Sequence, residues 1–341
     1  MRSSSGVEQR AGSNADTQTA SHARSGASDV LVSVVVPTYG RPAFVEDAVR
    51  SVAEQTYDRV ELLLVDDHSP ESVAPVFQRV DTSGLTQARC LRHDENRGAN
   101  AARNTGIRAS EGEIVAFLDD DDRWEPTVAE RYVETFRERG PEVGVVSVGV
   151  RVENASGEQI GVHSPSIQGD PLDALLDGEL VGSFSRFAVR RDVVREAGLP
   201  DERLPSWQDW EWQFRLARHC RFASVPDLLV VRTEGSHDQI TDDFTERRDV
   251  SYPLLLERHR EAVADRRGPR GERRFVALLS RTLGTSALNA GRYLEAVRYL
   301  LRSLRSDPTQ TRTYLFLGVA LGGPLTNRVV RRVKRQLSGV L

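Results

Sequence analysis

The chain has 341 residues, 39% of them hydrophobic and 28% charged, the composition of an ordinary globular protein rather than a disordered or membrane-spanning one, with room for one large core and a smaller one. A formal net charge of -4 is too near balance to indicate a nucleic-acid partner, so any electrostatic preference is local. Cys90 and Cys220 form neither a CxxC nor a Cys/His metal spacing, which argues against a disulfide framework and fits a reducing cytoplasm.

Residues 1–29 are polar and rich in Ser, Ala and Gly, without the apolar stretch of a signal peptide, and are expected to form a disordered tail. The first structured signal is the β-branched run Val30 to Val36, ended by Pro37 and followed by the turn Gly40-Arg41-Pro42 and a helical pattern from Ala43 to Glu54. A second run, Val60 to Val65, ends in Asp66-Asp67. A third, Glu113 to Leu118, ends in Asp119 to Asp122. Continuous apolar strands alternating with helix-length segments (Gly98 to Ala109, Val128 to Arg139) imply an α/β domain with a mainly parallel central sheet and helices on both faces. In such sheets ligands bind beyond the carboxyl ends of the strands, so Pro37 to Arg41, Asp66-Asp67 and Asp119 to Asp122 should converge on one crevice.

Val143 to Val152 reads as another strand, and the stretch from there to about Leu180 carries no clear periodicity. A helix from Trp210 to Arg218, a strand from Ala223 to Arg232 and the polar segment Gly235 to Thr241 follow, with a domain boundary expected near Arg247. Residues 248–341 are helical in pattern. Leu283, Gly284, Gly291, Tyr293, Ala296, Leu300 and Pro308 have the spacing of one tetratricopeptide unit, and Tyr314, Leu317 and Gly318 look like the start of a second. One unit and a half cannot form a solenoid, so a small helical cap on the main domain is expected. The end of the chain joins the apolar run Tyr314 to Leu321 to Arg328, Arg331, Arg332, Lys334 and Arg335, with no acidic residue after Asp307. That run is shorter than the ~20 residues a bilayer span needs. The basic end reads either as a contact for an anionic membrane surface or as a solvated helix face.

Four consecutive carboxylates after a hydrophobic strand repel one another unless cations or donors neutralise them. Hard oxygen ligands suit Mg²⁺ or Mn²⁺, and Mg²⁺ is commonly held by one or two carboxylates together with substrate phosphates. An isolated acidic run would read as a solvated loop; its position at a strand's carboxyl end points to a site.

The segments Val34-Val-Val-Pro-Thr-Tyr39, Leu64-Val-Asp-Asp-His-Ser69, Asn96-Arg-Gly-Ala-Asn-Ala-Ala-Arg-Asn-Thr-Gly106 and Phe117-Leu-Asp-Asp-Asp-Asp122 together resemble the family 2 glycosyltransferases in order and spacing, and the likeness extends through Trp207 to Arg215. It implies a nucleotide-sugar-binding domain of the GT-A type over residues 30–247, with Pro37, Tyr39 and Asp67 around the nucleotide base. An Asp carboxylate can accept the uracil imide N–H. The same likeness implies Arg103 near that pocket, Asp120 at the ribose, Asp119 in support, and Asp121 at a divalent metal, Mn²⁺ or Mg²⁺. Asp209 matches the family's general base, which removes the acceptor proton; a helix-capping role is the alternative. Gln208 departs from the commoner Glu-Asp pair. His237 resembles a histidine that reaches the metal or diphosphate, or it faces solvent. Trp207, Trp210 and Trp212 beside Asp209 are either core or a stacking surface for a sugar ring.

The resemblance therefore implies inverting, metal-dependent transfer of one sugar from a nucleoside-diphosphate sugar, a UDP-sugar above others, to a glycan or lipid-linked acceptor. Processive members carry a Gln-x-x-Arg-Trp motif that this sequence lacks. The expected location is cytoplasmic, or peripheral on the cytoplasmic membrane face. A non-catalytic module that binds sugar nucleotides and recruits partners through its helical tail is the alternative. No G-x-G-x-x-G follows the first strand, which argues against a dinucleotide oxidoreductase.

Overall fold

The β-branched runs of the N-terminal half become neighbouring parallel strands in a computed structural model that describes residues 30–179, 181–234, 243–324 and 326. Strands β1 (Val32–Thr38), β2 (Val60–Asp66), β3 (Gln87–Arg92) and β4 (Ile114–Phe117) lie in the order β3-β2-β1-β4. Every residue of β1 and β2 is buried, because both faces of the sheet are covered. Alternate side chains take opposite sides: Val34 and Val36 join Val45, Val49 and Val52 of α1 (Pro42–Ala53), whereas Val35 joins Ala102 and Ile107 of α3 (Ala99–Ala109). Helix α3 approaches so closely that a Cβ at Gly106 would collide with Val35. A four-residue helix, α2 (Ala74–Phe77), lies between β2 and β3.

The second half of the sheet is mixed. After β5 (Asp122–Trp124) and α4 (Val128–Arg139) come β6 (Val143–Asn154), β7 (Gln159–His163), α5 (Leu172–Asp177), β8 (Phe187–Arg190), α6 (Arg191–Ala197), α7 (Gln208–Leu216) and β9 (Arg221–Glu234). Strand β8 runs antiparallel to both β4 and β6 and so joins the parallel half to the rest, in the order β3-β2-β1-β4-β8-β6-β9-β5, with β7 beside β6. The parallel character read from the sequence thus belongs to the first four strands and to the β6/β9 pair.

Beyond the sheet, α8 (Phe244–Glu246) leads through a π-helical turn at Arg247–Ser251 into α9 (Tyr252–Asn289), α10 (Tyr293–Ser306) and α11 (Thr311–Leu321). Helix α9 bends at Gly268, whose φ of 66° precedes Pro269, a residue that cannot continue the helical hydrogen bonding. Its apolar face is continuous with the sheet domain's core: the Phe275 and Phe214 rings meet edge to face at 5.1 Å, and Leu278 and Leu279 share one cluster with Phe117 and Trp212. The helices therefore pack as a cap. Among the described residues no helix is long and apolar enough to cross a membrane. His237 and the basic positions from Arg328 to Arg335 lie outside the described residues.

Candidate active site

The carboxyl ends of β1 and β2 build the first wall. The Asp67 amide donates to the Thr38 carbonyl at 2.9 Å, which fixes the two loop starts side by side. The Asp67 carboxylate, only 3% exposed, accepts the backbone N–H groups of Arg97 (2.9 Å, on Oδ1) and Gly98 (2.7 Å, on Oδ2). His93 Nδ1 lies 2.7 Å from Oδ1, placed to donate to it, and Nε2 lies 2.8 Å from the Thr105 hydroxyl. Three donors thus aim Asp67 and leave Oδ2 with capacity for one more partner. Tyr39, 47% exposed, presents its ring at the rim.

The four aspartates that follow β4 are not equivalent. Asp119 is matched by Arg103 at 2.7 Å. Arg103 is buried, not on a helix surface: it also reaches Asn100 (3.1 Å) and Gln208 (3.0 Å), and its guanidinium lies 4.0 Å above the Phe184 ring. Asp120 accepts from the Thr38 hydroxyl at 2.6 Å and from Arg41 at 3.3 Å, and burial still pushes its carboxyl up to about 6. Asp122 is buried among Ser185, Arg232 and the other carboxylates, and desolvation, followed by the charges of Asp119 and Asp121, raises it to about 8. Asp121 is partly exposed and is held by Arg41 at 3.0 Å. Among the described residues no three carboxylate, His or Cys groups form a ready-made metal cage. The donor set fits a hard cation held by one carboxylate and completed by diphosphate oxygens and water, the usual habit of Mg²⁺.

The opposite wall belongs to α7. Trp207 is its N-cap, so Asp209 sits inside the first turn, two positions beyond the cap. Its Oδ1 accepts the Trp210 N–H at 2.8 Å. Burial raises the Asp209 carboxyl against the pull of that N–H and of Arg103, the direction a general base needs. Gln208 links the walls: its amide oxygen takes Arg103 and its nitrogen donates to the Leu204 carbonyl at 2.8 Å. Trp212 is fully buried among Phe117, Phe184 and Phe187, and Trp210 is nearly so, whereas Trp207 stays partly exposed. Arg215 turns away from the site to grip the buried carboxylate of Glu211 with two nitrogens.

Between the walls lies a cavity of about 680 Å³, lined by Pro37, Tyr39, Asp67, Arg103, Asp119, Asp120, Asp121 and Asp209, so eight of the nine residues singled out in the sequence converge. Arg232, Glu246 and the loop from Glu202 to Ser206 line it too, although no sequence motif marks them. Thr38 and Arg41 line it as well, within the Pro37 to Arg41 stretch expected at the crevice, although no role was legible for either in the sequence.

The family model described as "Glycosyl transferase family 2" matches residues 33–198. The putative teichuronic acid biosynthesis glycosyltransferase TuaG of Bacillus subtilis (strain 168) is 30% identical over 181 residues, which cover 52% of this chain and 70% of TuaG. An uncharacterized glycosyltransferase of Haemophilus influenzae is 27% identical over 193 residues, 56% of this chain and 64% of that protein, so there the chain spans less than two thirds of its relative. Among solved structures, S. aureus TarS 1-349 in complex with UDP-GlcNAc superposes with a TM-score of 0.63 at 18% identity, covering 90% of this chain and 92% of that one, a likeness of fold. The shared motifs, the fold and the extent of the TuaG match lead to one assignment: the chain belongs to glycosyl transferase family 2.

Proposed function

We propose that the protein is an inverting, metal-dependent glycosyltransferase that moves a single sugar from a nucleoside-diphosphate sugar, most readily a UDP-sugar, to a hydroxyl acceptor during assembly of a lipid-linked or cell-surface glycan, or in protein glycosylation. The observation that carries this reading is the convergence of Asp67, Asp121 and Asp209, from three separate segments, on one cavity. The UDP-GlcNAc complex of TarS supports the donor class.

In this reading Asp67 accepts the uracil imide N–H with the capacity left on Oδ2, and Tyr39 and Pro37 cover the base. Asp120 meets the ribose, and Arg103, held by Asp119, keeps the floor of the pocket in place. Asp209 takes the proton of the acceptor hydroxyl as its oxygen attacks the anomeric carbon, and the bond from that carbon to the diphosphate breaks on the opposite side. The anomeric centre inverts and the nucleoside diphosphate leaves with the bonding pair. Asp121, with His237, would hold the divalent cation, whose charge stabilises the departing diphosphate. Because Asp209 must be ionised, turnover rises with pH through a value above the ordinary 3.8 of a free Asp carboxyl.

Exposed Leu315 and Leu321 of α11, with the basic sequence Arg328 to Arg335, would rest on the cytoplasmic face of an anionic membrane. Reversing the charges of Arg331, Arg332 and Arg335 tests this by membrane fractionation: an unchanged distribution sinks it.

The reaction itself is tested by nucleotide release from UDP-, GDP- and dTDP-sugars with Mn²⁺, Mg²⁺ or EDTA, in wild type and Asp121→Ala. Metal-dependent release from one donor, reduced by about 10²-fold or more in the variant, is expected. Absence of both release and metal-dependent donor binding overturns the reading in favour of a scaffold.

A further inference from the structure

A bulky aromatic residue seldom adopts a left-handed backbone, yet Trp207 does, with φ 60° and ψ 28°. Such a conformation persists only where the surroundings over-determine it, and the segment leading to Trp207 is tied down along its length. The Asp201 carbonyl accepts from Asn100 on α3 at 2.8 Å, and its carboxylate binds Arg258 on α9 at 2.7 Å. Arg258 also reaches the buried Glu211 on α7 at 3.0 Å. Ser206 is clamped by Ser251 of the π-helical turn, which donates to the Ser206 carbonyl at 3.0 Å, while the two hydroxyls lie 3.1 Å apart. Finally, the Trp207 indole stands edge to face on Trp210, with centroids 5.4 Å apart.

This framework holds Trp207, partly exposed, in the cavity lining two residues from Asp209, with Pro205 beside it and the buried Leu204 behind. The nucleotide-binding segments lie on the other side, at the ends of β1 and β2. A hydroxyl deprotonated by Asp209 belongs to a molecule lodged in the same part of the cavity as Trp207. A pyranose ring, with a C–H face for the indole and hydroxyls at its edge, has the chemistry to rest there.

We propose that Trp207 is the platform of an acceptor subsite and that the acceptor presents a sugar ring, rather than a bare polyol or a protein side chain, beside Asp209. The inference rests on the reading of Asp209 as the base. Saturation-transfer NMR on the UDP-loaded full chain tests it, using octyl β-glucoside, octyl β-galactoside, octyl α-mannoside and octyl β-N-acetylglucosaminide, with octyl glyceryl ether as a polyol carrying the same tail. Transfer to the ring C–H protons of at least one glycoside, exceeding that to the ether's glycerol protons, is expected. The Trp207→Phe protein keeps it, while Trp207→Leu, apolar but without an aromatic face, weakens binding by about tenfold. UDP binding, measured in parallel, stays unchanged in both variants. Silence across the glycosides, equal transfer to the ether, or equal binding by the Phe and Leu variants overturns the platform. Asp209→Asn separates the two readings: continued sugar transfer by that variant removes the base and leaves the ring contact standing, whereas an inactive variant together with equal Phe and Leu binding sinks the platform alone.

Discussion

The two walls of the cavity are built in different ways. On the side formed by β1 and β2, proposed to take the nucleotide, Asp67 is aimed by backbone N–H groups of Arg97 and Gly98 at the ends of buried parallel strands, so its position follows from the sheet itself. On the Asp209 side, the chain from Asp201 to Trp207 belongs to no strand or long helix and takes its shape from partners far away in sequence: Asn100, Ser251 and Arg258. Under the proposed function, the nucleotide, common to many donors, would meet the part of the fold that is hardest to alter, and the acceptor would meet a loop whose shape is set by clamps, which can change without disturbing the sheet.

The sharpest way to break the comparison is at Asp209. Asp209→Asn should cut turnover by about 10² to 10⁴-fold while leaving donor affinity nearly unchanged, because the amide cannot take a proton and the nucleotide wall is untouched. Kinetics of release paired with UDP calorimetry checks both halves. Unchanged turnover would mean that this wall holds no base.

Severing the clamp comes next. Arg258→Met removes the links to Asp201 and Glu211 but keeps an unbranched apolar stem, so turnover should fall by about tenfold and stability by about 1–3 kcal/mol, with the UDP dissociation constant little affected. An equal loss in UDP affinity would show that the walls move as one.

A pH effect follows from the same cluster. Burial alone would raise the Glu211 carboxyl, but the His259 ring and Arg215 outweigh it and bring it down to about 2 from an ordinary 4.5. His259 is buried and disfavours its charged form, which suits a neutral ring that donates from Nε2 to Glu211 at 3.1 Å and accepts from Arg218 at 2.9 Å. A carboxyl depressed in the folded state stabilises above its unfolded value and loses that contribution as it protonates. Glu211 therefore adds stability that is fully present above about pH 4.5 and disappears as the pH falls toward 2. Urea melts from pH 5 to 2.5 should show a shallower acid slope for Glu211→Gln than for wild type.

The same asymmetry explains what could be read from the sequence. Strands β1, β2 and β4 announce themselves as apolar runs, and their closing carboxylates mark the crevice, so this wall of the cavity was legible in the sequence down to the placement of Asp67 and Asp121. Strand β3 was not, because it is a half-buried edge with Arg89 and Cys90 in place of an apolar run. Strand β8, four residues long, offers too few positions for a pattern, and with it went the reversal that mixes the sheet. Arg232 reaches the cavity through the pairing of β9 with β5 and Glu246 from the end of α8, placements for which a local pattern has no signal. Asp209 and Arg103 were visible only through their likeness to known motifs, not through periodicity.

The smallest effect separates a real conformation from a coincidence of packing. Replacing a residue by glycine usually destabilises more than replacing it by alanine, because glycine has more chain freedom to lose, by about 0.5–1 kcal/mol in a helix. At Trp207 the order should invert. Both substitutions lose the indole's contact with Trp210, but alanine keeps a Cβ that is strained at a φ of 60° and glycine does not. Trp207→Gly should therefore be the more stable of the two by about 1 kcal/mol, a shift of about 2 °C in Tm for a protein of this size. If alanine is instead equal or better, the backbone at 207 is not left-handed in solution, and the indole is not held against the cavity by the clamps that bind Asp201 and Ser206.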